Sequence, residues 1–398
     1  MTPALHAIEG RSPGYRGLLG ALGALTALGL AGAWTMEHHG HVVTGMTNQI
    51  VWGLPHVFAV FLIVAASGAL NVASIASVFG KSFYKPLAPL SGLLAVALLA
   101  GGLMVLVLDL GRADRLVVAM THFNFKSIFA WNIFLYTGFF ALVAVYLWTM
   151  LERRLNRYAS AVGFGAFVWR LVLTTGTGSI FGFLVARAAY DSALLAPMFI
   201  AASFSYGLAA FLIVLLAACG GTGRELAPAV LARLKNLLVV FIAAALYFAA
   251  VHHLTNLYLA RQGAYVRFIL VDGGVYPLAF WGGQVLLGSL VPMALLAHPR
   301  LGATRGAIAV AAALVVLGGL AQMYVTIIGG QAFPLELFPG FAASSSFFDG
   351  VAHRYAPSAP EVALGVAGVA VAGILVTLGV KLVAFLPARL GSELAESR

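Results

Sequence analysis

Residues 52–71 read WGLPHVFAVFLIVAASGALN. After Gly53 only His56 and Ser67 break the apolar character of the run up to Leu70, and Pro55 stands at its head, where a helix tolerates proline. The apolar character continues through VASIASVF to Phe79. A bilayer core needs about 20 such residues in a helix, so this stretch is long enough to cross one. Comparable runs recur along the chain. They predict spans over 17–34, 52–79, 87–108, 128–150, 160–186, 194–219, 237–259, 275–296, 307–328 and 362–380.

Composition agrees. Of 398 residues, 62% are hydrophobic and only 9% charged, with mean hydropathy +0.98. A soluble fold carries far more charge on its surface. The expected fold class is therefore all-α: a polytopic membrane protein of about ten transmembrane helices. Residues 1–398 are read as a single integral membrane domain with no separate soluble domain. The first run follows Arg11 and Arg16 and contains Ala31–Ala33 in an Ala-x-Ala pattern, as a cleaved signal would. Its apolar stretch is long for a signal peptide, and it is read as a retained span.

The formal net charge is +10, from 23 Lys+Arg against 13 Asp+Glu. No basic patch interleaved with aromatics is present, so nucleic acid is not an expected partner. The cations lie mostly in connectors. With the N-terminus placed in the cytoplasm, 15 fall in cytoplasmic segments and seven in external ones, leaving Arg170 inside a span. That bias predicts both termini in the cytoplasm of a bacterial inner (cytoplasmic) membrane, with lipid as the surrounding partner.

Cys219 is the only cysteine. A chain with one cysteine cannot build an internal disulfide or a cysteine-ligated iron–sulfur cluster by itself. Only His56, His252 and His253 are placed inside spans, without the repeated spacing of paired haem ligands. No haem, iron–sulfur cluster or metal is expected on this chain. Any electron-carrying inorganic cofactor is expected on other subunits.

Ionisable groups within spans are costly and mark candidate sites. Here they collect at one end of the spans. His56 opens the second span and Asp109 closes the third. His122 and Asn124 precede the fourth, which carries Asn132 and Tyr136 in its external half. Arg187 and Asp191 follow the fifth, and His252, His253 and Asn256 lie near the external end of the seventh. Five sets converging on one face point to a site near the external surface. At about 100° per residue, Ser67, Asn71 and Ser74 share the face of His56, and Arg170, Thr174 and Thr177 share a face of the fifth span. Two readings are open. These side chains are hydrogen-bonding glue between helices, or Ser67, Asn71, Arg170 and Thr174 are part of a proton path leading inward. The connectors 109–127 and 329–361 are long enough to be functional. Phe333, Phe338, Phe341, Phe347, Phe348 and Tyr355 in the second, beside Glu336, Asp349 and His353, argue for a packed surface.

Three segments carry a resemblance: WGLPHVFAVFLIVAASGALN (52–71), LDLGRADRL (108–116) and THFNFKSIFAWNIFLYTG (121–138). With ARAAYDSALLAPMFIAASFSYGLA (186–209), they resemble the NrfD/polysulfide reductase (PsrC) family of membrane subunits over roughly 50–330. The ten-span form and the His-Phe-Asn-Phe-Lys segment are most similar to the DsrP branch, found in sulfur-metabolism Dsr transmembrane complexes. The resemblance implies two four-helix bundles, with additional helices at 17–34 and 362–380 outside that core. It implies a subunit that exchanges electrons between membrane quinone, menaquinone or ubiquinone, and a periplasmic iron–sulfur (ferredoxin-like) partner. Other Dsr-type membrane and cytochrome subunits would accompany it. It also implies a quinone site at the histidine of the first core helix, here His56, and at the Asp-Leu-Gly-Arg turn, here Asp109 and Arg112. From the placement of the residues we add His122, Asn132 and Tyr136 to that site.

Quinone chemistry moves two electrons and two protons. An imidazole both donates a hydrogen bond to a carbonyl and transfers a proton near neutral pH. His56 is thus the expected donor, Asp109 its orienting or relaying group, and Phe58, Phe129 and Trp131 candidates to receive ring and tail. Two other classes use the same residue types: an ion- or proton-translocating transporter-like subunit without quinone chemistry, and a b-type cytochrome. The former commonly shows inverted repeats. The single internal echo, VAASGAL (64–70) with IAASFSYGLA (200–209), joins helices of the same orientation.

Overall fold

The protein is described by a computed structural model covering residues 5–272, 274–335 and 351–387. Among the described residues, ten helices are long and apolar enough to cross a membrane. They are α1 (Pro13–His39), α2 (Leu54–Ser77), α3 (Phe83–Leu108), α4 (Ile128–Leu151), α5 (Asn156–Gly182), α6 (Leu195–Thr222), α7 (Pro228–Tyr258), α8 (Val275–Ala297), α9 (Arg305–Ala332) and α10 (Ala359–Leu382). Each expected span has its helix. Two boundaries differ instructively. α7 begins nine residues before the apolar run because Arg233 and Lys235 lie along helices instead of ending one. Arg233 stacks 4.1 Å over the Phe83 ring and Lys235 Nζ donates to the Leu296 carbonyl at 3.1 Å. Long cationic stems snorkel in this way. α5 stops at Gly182, four residues before the expected end, where the chain turns into the connector that carries Arg187.

α2, α3, α4 and α5 pack as one four-helix bundle, and α6, α7, α8 and α9 as a second. The bundles meet mainly where α2 and α5 contact α6, and α9 contacts α2. α1 and α10 pair outside the first bundle, α10 lying on α2 and α3. Small residues make that pairing close: Gly29 and Gly32 of α1 face Ala363, Ala367 and Pro360 of α10. The large apolar side chains that remain exposed, such as Leu28, Trp148, Phe164, Tyr247 and Leu317, form the surface a bilayer would cover.

An even number of spans returns the chain to its starting face. Strand β1 (Leu5–His6) pairs antiparallel with β2 (Leu386–Pro387), so both terminal segments lie together. We call this the termini face. The opposite face carries the longer connectors 40–53, 109–127 and 183–194 and the described parts of two more, 259–272 and 351–358, and we call it the long-loop face. Of the aromatics and acids noted in the last connector, Glu336, Phe338, Phe341, Phe347, Phe348 and Asp349 lie outside the described residues.

The seam between bundles is set by glycine. A Cβ on Gly68 would lie 1.6 Å from the Ser203 carbonyl oxygen, and one on Gly207 would lie 2.1 Å from the Ala69 amide nitrogen. The sequence echo therefore marks the place where α2 and α6 touch backbone to backbone. Just beyond it α2 is interrupted at Leu70. Ser91 of α3 heals the interruption, its hydroxyl donating to the Ala69 carbonyl at 2.7 Å and accepting from the Ala73 amide at 3.1 Å. Buried backbone groups require such partners.

Candidate functional site

His56 and Asp109 are brought together. His56 lies in the first turn of α2, behind Pro55, and Asp109 directly follows α3. The Leu-Asp-Leu-Gly-Arg turn has a local reason: Gly111 adopts φ +69°, a left-handed conformation that side chains disfavour, and this bends the chain sharply off the helix. Asp109 is thereby turned inward and its side chain is fully buried, whereas the His56 side chain keeps 15% exposure. His56 Nδ1 lies 2.7 Å from Asp109 Oδ2. The contact is close but not linear, so both Asp109 oxygens retain hydrogen-bonding capacity. A carboxylate at a helix C-terminus faces the negative end of the helix dipole, and buried it needs a partner. His56 is that partner. Asp109 lies against the Nδ1 edge by charge and proximity, since the buried Nδ1 makes no aligned hydrogen bond.

One aromatic ring lies beside the imidazole, and others gather around that ring. Trp52 stacks on His56, with ring centroids 6.2 Å apart and planes 27° from parallel. Phe181 and Tyr190 meet Trp52 at 5.6 and 6.4 Å, and Phe129 meets it at 6.2 Å. Phe129 is half exposed, so this aromatic group reaches the protein surface at α4. Flat aromatic walls beside one accessible imidazole suit a planar ring carrying carbonyl or hydroxyl groups.

The segment that presents Trp52 is clamped from distant parts of the chain. Gln331, at the end of α9, accepts from the amides of Val51 and Trp52 at 2.9 and 3.0 Å and donates to the Trp52 carbonyl at 3.0 Å. Arg187 bridges the Gln331 and Gln49 carbonyls at 3.0 and 2.9 Å. Burial lowers the Arg187 guanidinium from its ordinary pKa and raises the Tyr190 phenol well above its own. The Tyr355 hydroxyl accepts from the Leu54 amide and donates to buried Glu361, both at 2.6 Å. Glu361 also accepts from Gly45 and Ser358 amides at 2.8 and 2.7 Å. Residues from α9, α10 and two connectors thus fix the start of α2 and the direction of His56.

The remaining expected site residues divide. Arg112 is exposed and forks onto Asp114 at 3.1 and 3.2 Å, not onto Asp109. Their mutual attraction raises the arginine and lowers the carboxyl in pKa. His122 is exposed beside Thr121 at the end of the short helix Leu116–Thr121. Asn132 and Tyr136 are buried between α4 and α5: Asn132 donates to the Gly176 carbonyl at 3.2 Å, and both side chains bond Thr177. Of the expected ring-contacting aromatics, Phe129 reaches Trp52, Phe58 leans on Gly365 of α10, and Trp131 donates to the Phe125 carbonyl at 2.9 Å. Asp191 pairs with Arg261 at 2.9 Å.

Deeper in the bundle, Ser67, Arg170 and Thr174 form one buried cluster. Thr174 donates to Ser67 at 2.6 Å, Ser67 donates to the Arg170 carbonyl at 3.1 Å, and Arg170 Nη1 reaches the Ser67 carbonyl at 3.4 Å. Phe167 and Phe204 flank the guanidinium at 4.9 and 5.1 Å, and its Nε has no partner. Asn71 lies one turn further along α2 with its amide nitrogen unpartnered.

Sequence reasoning misses Trp52, Phe181, Tyr190, Gln331 and Glu361 as site residues. Only Trp52, four positions before His56, carries a local signal.

Among the described residues, ten candidate membrane spans with a histidine–carboxylate pair at a bundle end, beside aromatic rings, define a polytopic helical membrane protein. Residues 42–335 match the family described as Polysulphide reductase, NrfD, and the chain belongs to that family. It is 30% identical to the Hdr-like menaquinol oxidoreductase integral membrane subunit of Archaeoglobus fulgidus, covering 98% of each chain. It is also 30% identical to a Halobacterium salinarum protein provisionally assigned as a membrane subunit of dimethyl sulfoxide reductase, over 92% of this chain and 90% of that one. A selenate reductase subunit of Mesobacillus selenatarsenatis is 21% identical over 91% of this chain and 92% of its own.

Proposed function

We propose that this chain is the quinone-interacting membrane subunit of an oxidoreductase complex. The observation that carries this reading is the 2.7 Å contact of the partly exposed His56 with the fully buried Asp109 side chain, beside the Trp52–Phe129 aromatic pair. The relatives' names, a menaquinol oxidoreductase subunit among them, support it and favour menaquinone as substrate. In this reading the quinone ring lies against Trp52 and Phe129, and His56 Nε2 bonds one ring oxygen. When quinol is oxidised, two electrons pass to a partner's redox centre and two protons leave the ring oxygens. His56 takes one of those protons, with Asp109 beside its Nδ1 edge, and the other passes to water at the long-loop face. Reduction runs the same steps backwards. The Ser67–Arg170–Thr174 cluster and Asn71 offer a polar continuation inward, along which a proton path would run.

The partner in this reading is an iron–sulfur subunit docked on the long-loop face, beside His56, with Dsr-type membrane and cytochrome subunits completing the complex. The activity that tests the reading is quinol-linked electron transfer by the whole complex, which His56→Gln should remove. The long-loop face is assigned to the periplasm, from the cation bias toward the termini face. Reporter fusions at residues 155 and 230 should therefore report cytoplasm, and fusions at 118 and 265 the periplasm. Opposite signals at both members of either pair would reverse the orientation.

A further inference from the structure

The second bundle holds a polar chain that the His56 site does not use. Two small cavities lie inside it, each large enough for about one water. One is lined by His252, His253, Tyr265 and Thr326, the other by Ser205, Tyr206 and Ser289, and Gln284 and Gln322 line both. The cavities therefore share a wall made of two amide side chains, 7% and 4% exposed.

Their hydrogen bonding is incomplete in an informative way. Tyr206 donates to Gln322 Oε1, which leaves Gln322 Nε2 buried without a protein partner. His253 Nδ1 is likewise buried and unpartnered, its ring held edge-on by Phe280 at 4.7 Å. His252 is satisfied on both nitrogens by Ser192 and Asn256, at 3.4 and 3.2 Å. A buried donor in hydrocarbon is costly without an acceptor, and here each residue with an orphan nitrogen lines a space of water size.

The backbone is unusual at the same place. Residues Leu278–Leu290 of α8 and Val325–Gly329 of α9 are π-helical, and such windings often mark functional sites. The five-residue period sets Ser289 over Gln284, and the Ser289 hydroxyl donates to the Gln284 carbonyl at 2.9 Å. At 1.5 Å per residue, His253 lies about 8 Å below the end of α7, and Gln322 and Tyr206 lie about 15 Å below the long-loop face. The chain of groups thus runs from that face to about the middle of a ~30 Å core.

We propose that the second bundle binds a short column of water, entered beside His253 and ending at Tyr206, Ser205 and Ser289 in mid-bilayer. Gln322 Nε2 donates to one water and His253 Nδ1 bonds the other. The column brings water, and with it exchangeable protons, to the bundle centre without burying an ionised side chain. It stands whether or not the His56 site takes quinone.

Radiolytic footprinting tests it. A millisecond X-ray pulse converts bound water to hydroxyl radical, which oxidises the side chains it touches. The assembled complex in nanodiscs is exposed in H2-18O and the modified residues are read by mass spectrometry. Tyr206 and Tyr146 are both buried, but Tyr146 lines neither cavity. Tyr206 should incorporate label at least about tenfold faster than Tyr146. In Gln322→Leu that rate should fall to the Tyr146 level. Equal labelling of the two tyrosines in the natural protein would overturn the proposal, and so would undiminished Tyr206 labelling in a folded Gln322→Leu complex. If Gln322→Leu does not assemble, the comparison within the natural protein decides alone.

Discussion

The His56→Gln complex is expected to assemble at normal yield and to lose quinol-linked electron transfer by at least about 100-fold, the scale of a lost general acid–base group. Glutamine is the informative replacement. Asp109 is fully buried, and removing its partner outright would strand a carboxylate inside the bundle. Glutamine keeps a donor within reach of Asp109 but cannot exchange a proton. Alanine would mix the two effects and lower the yield as well. Turnover and complex yield measured on the same preparation separate them. Normal turnover in an assembled His56→Gln complex would remove this residue from the chemistry.

The largest expected effect on folding lies at the seam between bundles. Gly207→Leu should abolish accumulation of folded protein. Its Cβ alone would sit 2.1 Å from backbone atoms of Gly68 and Ala69, which cannot rotate away as a side chain can. α2 and α6 would have to separate along the contact that joins the two bundles. Overpacking costs typically reach about 3 kcal/mol, and a clash against backbone belongs at or beyond that end. Gly220→Leu is the control, because a Cβ there meets nothing within 4 Å. Size-exclusion yield and thermal stability of the two variants should differ sharply; equal behaviour would mean the seam is not rigid.

The order of the spans is legible in the sequence because apolar length is a local property. So is the pairing of His56 with Asp109, since both sit at the same end of consecutive antiparallel helices. Boundaries are less legible where a charged side chain has a partner. Arg233 and Lys235 extend α7 because Phe83 and the Leu296 carbonyl receive them, and neither partner is near in sequence. The clamp on Trp52 is hidden for the same reason. Gln331 lies about 280 residues away, in an apolar helix, where one amide resembles ordinary interhelical glue. Arg112 is drawn into the expected site by its neighbour in the Asp-Leu-Gly-Arg turn, but the bend at Gly111 sends the two side chains apart, one inward and one to Asp114. Helical spacing alone groups Arg170 with Thr174, and the structure brings Ser67 into contact with both.

A quinone ring between His56 and the Trp52–Phe129 wall is the centre of the proposed function. Photolabelling the assembled complex with an azido-menaquinone analogue, followed by peptide mapping, tests it most directly. Label is expected on residues 52–56 and 129, suppressed by excess unmodified menaquinone. Label confined to the second bundle, or spread over lipid-facing residues and insensitive to competition, would contradict it.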